Sequence, residues 1–220
     1  MDEQSDRPSS WAAEIARHST VLRQRLGRGV SVGISGVDCA GKSTVAEALH
    51  ARFVAARVPV VVVEGDEFTR PTGERYAEPD EALGYYRDGF DYGCVFEQIL
   101  PAVRSSFAGQ IAVKVTDWER DAWTECVLDL PPAAVVIVEG CFLFAGDGAG
   151  EFDLSVWLDL PLEEIVPRAL GRPRDLERMG GPNGVRERHA NRYVPGQRLH
   201  LERDQPQEQA ALVLPVSRAS

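Results

Sequence analysis

The chain has 220 residues, 44% of them hydrophobic and 26% charged, the balance of a globular protein able to bury one core. Its net charge of −10, from 34 acidic against 24 basic side chains, argues against nucleic acid or an anionic membrane as the main partner, since both reward basic surfaces. No apolar run is long enough for a membrane span, and the polar, acidic start from Met1 to Ser10 predicts no signal peptide.

In chain order, residues 1–9 read as a disordered lead. Trp11, Ile15, Leu22 and Leu26 then recur on one helical face, which ends at Gly27 and Gly29. Val30 to Ser35 is strand-like and Ser43 to Arg57 helix-like. Pro59 to Glu64 is a continuous valine run suited to a buried parallel strand. Residues 65–79 read as a loop, and helical patterns cover about 80–88 and 92–107. Ile111 to Val115, Ala133 to Val138 and Leu154 to Leu158 are further strands. Pro161 to Leu170 is a helix with proline near its first turn. The stretch 171–195 is rich in Gly, Pro and Arg. A helix over 196–204 and a last strand at Ala211 to Leu214 follow. Strands alternating with helices predict an α/β fold, a three-layer α/β/α sandwich around a central parallel sheet. Cys39, Cys94, Cys126 and Cys141 are scattered with no C-x-x-C pair, which fits a reduced, cytoplasmic setting. The four histidines form no metal-ligand pattern.

The strongest motif is Gly36-Val37-Asp38-Cys39-Ala40-Gly41-Lys42-Ser43-Thr44, a complete G-x-x-x-x-G-K-[ST] phosphate-binding loop set between a strand and a helix. Its glycines let backbone N–H groups form a nest, and the following helix N-terminus adds its own amides around phosphate oxygens. Lys42 reaches the β/γ-phosphates in such a loop, and Ser43 holds Mg²⁺. Only Lys42 and Lys114 are lysines in a chain that otherwise writes its positive charge as arginine. Lysine is kept where a compact, flexible point charge is needed.

Carboxylates follow two of the predicted strands. Asp66, in Gly65-Asp66-Glu67-Phe68, sits where open α/β sheets bind ligands and is either a base for an attacking hydroxyl or a Mg²⁺ residue. A solvated loop acid is the bland alternative. Glu139 ends Val135-Val136-Ile137-Val138, a Walker-B-like arrangement that points to the metal or the phosphates.

Seven arginines (Arg168, Arg172, Arg174, Arg178, Arg186, Arg188, Arg192) crowd the Gly-rich segment near the C-terminus. Guanidinium groups stabilise the charge that spreads over a transferring phosphoryl, and flanking glycines would let the segment close as a lid. Arg172 and Arg174 are the candidates for that role. For Arg178, Arg186 and Arg188 a helix surface with Arg–Glu pairs is the plausible alternative. Tyr85 to Tyr92 mixes aromatics and acids, so Tyr86 and Asp91 could bind a hydroxylated, ring-bearing substrate. They could also be a core aromatic and an N-cap. Asp117 and Trp118 raise the same two options.

Together these residues resemble the uridine kinase and phosphoribulokinase branch of P-loop kinases. The resemblance runs from about Val30 to Pro215. Its matches are Ile34 through Thr44, Gly65-Asp66-Glu67-Phe68, Phe90-Asp91, Val138-Glu139-Gly140, Trp157-Leu158-Asp159 and Arg172-Pro173-Arg174-Asp175-Leu176-Glu177. It implies a single P-loop kinase domain over 10–220 with a lid at about 171–195, using ATP and Mg²⁺. In it Asp66 would be the base for the acceptor hydroxyl, Asp91 would hold sugar hydroxyls, and Arg172 and Arg174 would belong to the lid. Arg192 and Trp118 join Tyr86, Asp91 and Asp117 as substrate-binding candidates. Uridine kinases read the pyrimidine with a Tyr, a His and an Arg around the third strand's Asp. Here those positions are Thr116, Asp121 and Trp123 around Asp117, and an Asp in place of a His turns donors into acceptors.

The expected activity is an ATP-dependent small-molecule kinase whose partners are a nucleotide and a hydroxyl acceptor, with a homo-oligomer left open. A nucleotide-binding switch without a metabolite substrate is the alternative. Neither the N-K-x-D guanine reader of GTPases nor L-S-G-G-Q is present.

Overall fold

The computed structural model describes residues 7–216. In chain order the elements are α1 (Arg7–Leu26), β1 (Val30–Gly36), α2 (Lys42–Ala55), β2 (Val60–Glu64), α3 (Thr72–Arg75), α4 (Glu81–Asp88), α5 (Leu100–Arg104), β3 (Gly109–Asp117) and β4 (Ala122–Leu130). There follow β5 (Val135–Gly140), β6 (Leu154–Asp159), α6 (Ile165–Leu170), α7 (Pro173–Met179), α8 (Pro182–Arg188), α9 (Val194–Asp204), α10 (Pro206–Gln209) and β7 (Leu212–Pro215). Short π-helical turns, Val95–Ile99 and His189–Tyr193, lead into α5 and α9.

Five strands form a parallel sheet in the order β2-β5-β1-β6-β7. Helices flank it, giving the expected three-layer sandwich. The central strands β1, β5 and β6 are apolar and buried almost throughout, because parallel strands covered on both faces have no solvent side. β2 departs from the buried-strand expectation. It is the outer strand of the sheet, and Val60, Val61 and Val62 are half-buried. Its valines read as core because one face of an edge strand still packs inward.

The largest departure is β3 and β4. They form an antiparallel hairpin outside the parallel sheet, in register from Gly109 opposite Leu130 to Asp117 opposite Ala122. Residues 122–130 carried no strand expectation, since most of β4 is solvent-exposed and lacks a core face to betray it. Most of the segment 171–195 is helical. α7 and α8 each begin at a proline, and Gly180 between them takes φ +77. α1 begins at Arg7, so residues 7–9 are helical; the disorder expected over residues 1–6 lies outside the described residues. Among the described residues no helix is long and apolar enough to cross a membrane.

Candidate functional site

Three adjacent strands, β2, β5 and β1, deliver the key segments to one edge of the sheet. β1 runs into the phosphate loop, β2 into the Gly65–Phe68 3₁₀ turn that carries Asp66, and β5 ends at Glu139 and Gly140. The register sets Glu64 beside Glu139 and Ser35 beside Gly140. Carboxyl ends of parallel strands are where such sheets bind ligands. Gly140 must be glycine here, because a Cβ would fall 2.3 Å from the Tyr92 hydroxyl oxygen.

The loop closes through two left-handed residues. Gly41 has φ +94, free of cost for glycine, and Cys39 has φ +62, a conformation few cysteines adopt. Lys42 Nζ donates to the carbonyls of Gly36 at 3.1 Å and Val37 at 3.0 Å. Burial opposes its charge, but Asp38 and Glu139 around it hold its pKa above the ordinary lysine value. Lys42 is therefore an ammonium at neutral pH. Ser43 Oγ donates to Glu139 Oε1 at 3.1 Å. Burial raises the Glu139 carboxyl above the usual range; Lys42 and the Ser43 bond work against this, and Asp66 adds to it.

That balance bears on the metal. Ser43, Glu139 and Asp66 all line the cleft and offer hard oxygen donors, the set Mg²⁺ accepts. A buried carboxylate held short of positive charge gains from a divalent cation. Among the described residues no group of three or more His, Cys, Asp or Glu could hold a metal by itself. Mg²⁺ bound with a nucleotide needs only one or two protein carboxylates, so the residues fit it.

Asp38 turns away from the phosphate nest. It accepts from the Tyr85 hydroxyl at 3.0 and 3.1 Å and from Cys141 Sγ at 3.0 Å. Burial lifts both the Tyr85 hydroxyl and the Cys141 thiol well above their ordinary values, so each keeps its proton to donate.

Residues 171–175 and 178–179 face the loop across a cleft of about 700 Å³. Arg172 and Arg174 both line it, and their contacts to Asp175 are long, 3.9 and 3.8 Å. Arg192 lines it too and is buried, its Nη1 donating to Glu81 O at 3.1 Å and its Nη2 to Arg75 O at 2.8 Å. Trp118, at the hairpin tip, completes the rim.

Thus Asp38, Cys39, Gly41, Lys42, Ser43, Thr44, Asp66, Glu139, Trp118, Arg172, Arg174 and Arg192 meet in one cleft. Gly36 and Val37 serve the loop through their carbonyls, and Ala40 is buried beneath it.

Tyr86, Asp91 and Asp117 are not brought to the cleft. The Tyr86 hydroxyl donates to Asp204 at 2.8 Å. Asp91 accepts from Gly93 N at 3.2 Å and pairs with Lys114 at 3.2 Å and Arg70 at 3.7 Å. Burial favours its protonation, but the Gly93 amide and the two cations hold its pKa below the usual value. Asp117 caps the hairpin turn, accepting from the amides of Glu119 and Arg120 and pairing with the Arg120 side chain at 2.6 Å. The three divergent positions also have local work. Thr116 bonds the Thr69 carbonyl, Asp121 accepts from Thr72 N at 2.9 Å, and Trp123 Nε1 donates to Glu74 at 2.8 Å. They stitch the hairpin to the segment after β2.

The sequence left Arg75 and Tyr76 unassigned, offered Tyr85 only within a stretch that could be a substrate site or a core cluster, and gave Arg178 a helix surface as an alternative, yet all four line the cleft. Arg178 follows Arg174 by one helical turn, and this i, i+4 spacing was the available signal.

No family model matches the chain. A curated uridine kinase of Mycoplasma pneumoniae is 20% identical over 192 residues, covering 86% of each chain. Among solved structures, a uridine kinase candidate from Bacillus stearothermophilus matches with a TM-score of 0.66 at 21% identity, covering 91% of this chain and 99% of the other. A fructose transport system kinase candidate from Silicibacter sp. TM1040 gives 0.73 at 22% identity, over 93% and 98%. A D-glycerate 3-kinase from Cryptococcus neoformans gives 0.63 at 16% identity, over 95% and 97%.

Proposed function

We infer that this chain, by sequence and fold one of the uridine kinase/phosphoribulokinase-like P-loop kinases, transfers the γ-phosphoryl group of ATP to a hydroxyl of a small metabolite. The observation that carries the reading is the convergence of Lys42, Ser43, Asp66 and Glu139 with the lid residues Arg172 and Arg174 on a single cleft. Its volume of about 700 Å³ is that of a small-molecule site.

In the reaction the acceptor oxygen attacks the γ-phosphorus while the bond to the β–γ bridging oxygen breaks, and ADP leaves with the electron pair. Asp66, exposed and with no side-chain hydrogen bond among the described residues, takes the acceptor's proton. Lys42 and the loop amides hold the β- and γ-phosphates, and Arg172 and Arg174 balance the charge on the equatorial oxygens. Mg²⁺, when bound by Ser43 and Glu139 with phosphate oxygens, supplies charge neutralisation. Closure of the lid towards the hairpin excludes water.

The test is acceptor-dependent ADP release across nucleosides, sugars and hydroxy acids, with Lys42→Ala as the control. ADP release that no acceptor stimulates in the wild-type protein would refute the reading.

A further inference from the structure

Three arginines from three elements converge on the cleft around the Tyr76 and Trp118 rings: Arg75 at the end of α3, Arg178 on α7 and Arg192 in the π-helical turn, which also lies 5.5 Å from the Tyr85 ring. Arg172, at the start of α7, is the lid cation whose charge reaches the Cys39 thiol in the loop. Arg178 lies further along the same helix, with its guanidinium 5.4 Å from the centre of the Trp118 ring. Arg75 lies 5.6 Å from the same ring and 5.3 Å from Tyr76, over which Arg192 sits at 4.1 Å.

None of the three has an acid partner among the described residues. Among the described residues no carboxylate oxygen lies within 4.0 Å of Arg75, Arg178 or Arg192, whereas Arg28, Arg70, Arg87, Arg104 and Arg120 are all so paired. Arg192 is 3% exposed and bonded to neutral carbonyls. Arg75 Nη2 donates to Thr72 Oγ1 at 3.1 Å, and its buried Nε has no hydrogen-bond partner. Asp121 is close enough to feel Arg75, but its carboxylate is engaged by the Thr72 amide. Aromatic faces offset part of a buried cation's cost, not its charge. In a chain of net charge −10, such a local positive excess is a recognition feature.

We propose that the acceptor is a hydroxylated small molecule bearing an anionic group, a carboxylate or a phosphate, which docks between Arg75 and Arg178 beside the Trp118 ring, with Arg192 adding its field from below. This rests on the kinase reading for the hydroxyl but not for the anion site. A neutral nucleoside would leave the three cations uncompensated, and the positions that would read its base are spent on docking the hairpin.

The test uses matched pairs, D-glycerate with glycerol and D-ribose 5-phosphate with D-ribose. Each is titrated into protein saturated with a non-hydrolysable ATP analogue and Mg²⁺, followed by tryptophan fluorescence, with Trp118→Phe to assign the signal. At least one anionic member should bind tenfold or more tighter than its neutral twin. The arm that shows the preference tells carboxylate from phosphate. Arg178→Gln should weaken that anion fivefold or more, and Arg178→Lys should restore part of the loss; Arg178 is exposed, so neither change threatens folding. Equal or absent binding of both anionic members, or a preference untouched by Arg178→Gln, overturns the proposal. ADP release separates the two readings: stimulation by neutral acceptors alone sinks the anion site and keeps the kinase. An Arg178-dependent anion preference without phosphoryl transfer to any acceptor does the reverse.

Discussion

The Ser43 hydroxyl donates to Glu139 at 3.1 Å, joining the first helical residues after the phosphate loop to the end of a strand 96 residues later. This bond exists because β1 and β5 are neighbours in the sheet, with Ile34 opposite Glu139. It also places a buried acid at the heart of the site. Burial raises the Glu139 carboxyl in the folded state, so its contribution to stability is present at low pH and is lost as pH rises through the folded value. Glu139→Gln is expected to lower kcat by roughly 10²-fold or more and to weaken Mg²⁺ dependence. The same variant should gain stability relative to wild type between pH 4.5, the ordinary value, and pH 8. Thermal unfolding at the two pH values, with Mg²⁺ titrations of turnover, checks both halves.

On the proposed reading Lys42 binds phosphate and Asp66 removes the acceptor's proton. Lys42→Met keeps the aliphatic stem and loses the ammonium that bridges the Gly36 and Val37 carbonyls. Turnover should fall by about 10³-fold or more, with the fold intact by circular dichroism. Asp66→Asn should lower kcat by roughly 10² to 10⁴-fold while the ATP-analogue affinity stays within a few-fold. A collapse of analogue affinity with normal residual turnover would make Asp66 a metal or structural residue rather than a base.

How much of this was legible depends on whether the signal is local. The loop is local: its glycine-spaced lysine stands between strand and helix in the sequence itself, and the structure brings Lys42, Ser43 and Glu139 to one cleft. Arg178 was hidden because an arginine on a short polar helix looks the same whether it faces water or a cleft; only Trp118, 60 positions earlier, distinguishes them. Asp91 and Asp117 misled for the converse reason. An acid beside aromatics can hold a sugar, but here Lys114 and Arg70 claim the one and Arg120 the other. The β3–β4 hairpin was half seen because its exposed strand β4 has no buried face to set a period. Edge or centre is a property of sheet order, so the valines of β2 could not declare it.

Tyr85 ties α4 to the phosphate loop through Asp38, and both of its contacts to that carboxylate are near 3 Å. Tyr85→Phe should destabilise the protein by about 1–3 kcal/mol, as for a buried hydrogen bond to a charged group. It should also raise KM for ATP a few-fold by freeing Asp38 within the loop. Asp38→Asn combined with Tyr85→Phe should cost less than the sum of the single changes, because both remove one interaction. Denaturant melts of the four proteins give the coupling, and strict additivity would show that the bond does not order the loop.

His200 sets an acid limit to stability away from the cleft. It is fully buried on α9. Its Nδ1 is 2.7 Å from Asp204 Oδ2, and its Nε2 has no partner. Trp157, Phe142 and Tyr86 surround the ring, and Asp204 is further held by the Tyr86 hydroxyl and the Gly146 amide. Burial lowers the His200 pKa below its ordinary value of 6.5, and Asp204 only partly opposes this. The folded protein therefore holds the ring neutral where the unfolded chain takes a proton. Stability from this residue is present above pH 6.5 and is lost as pH falls towards the lowered folded value. The depressed carboxylates Asp91, Asp117 and Asp153 titrate in the folded state below their ordinary value of 3.8, whereas Glu139 and Glu67, raised by burial, act in the opposite sense to the histidine as pH falls, so the difference between wild type and a His200 variant isolates the histidine's part. Denaturant unfolding from pH 7 down to pH 5 should show wild type losing stability relative to His200→Gln. Parallel slopes for the two proteins would remove His200 as the cause.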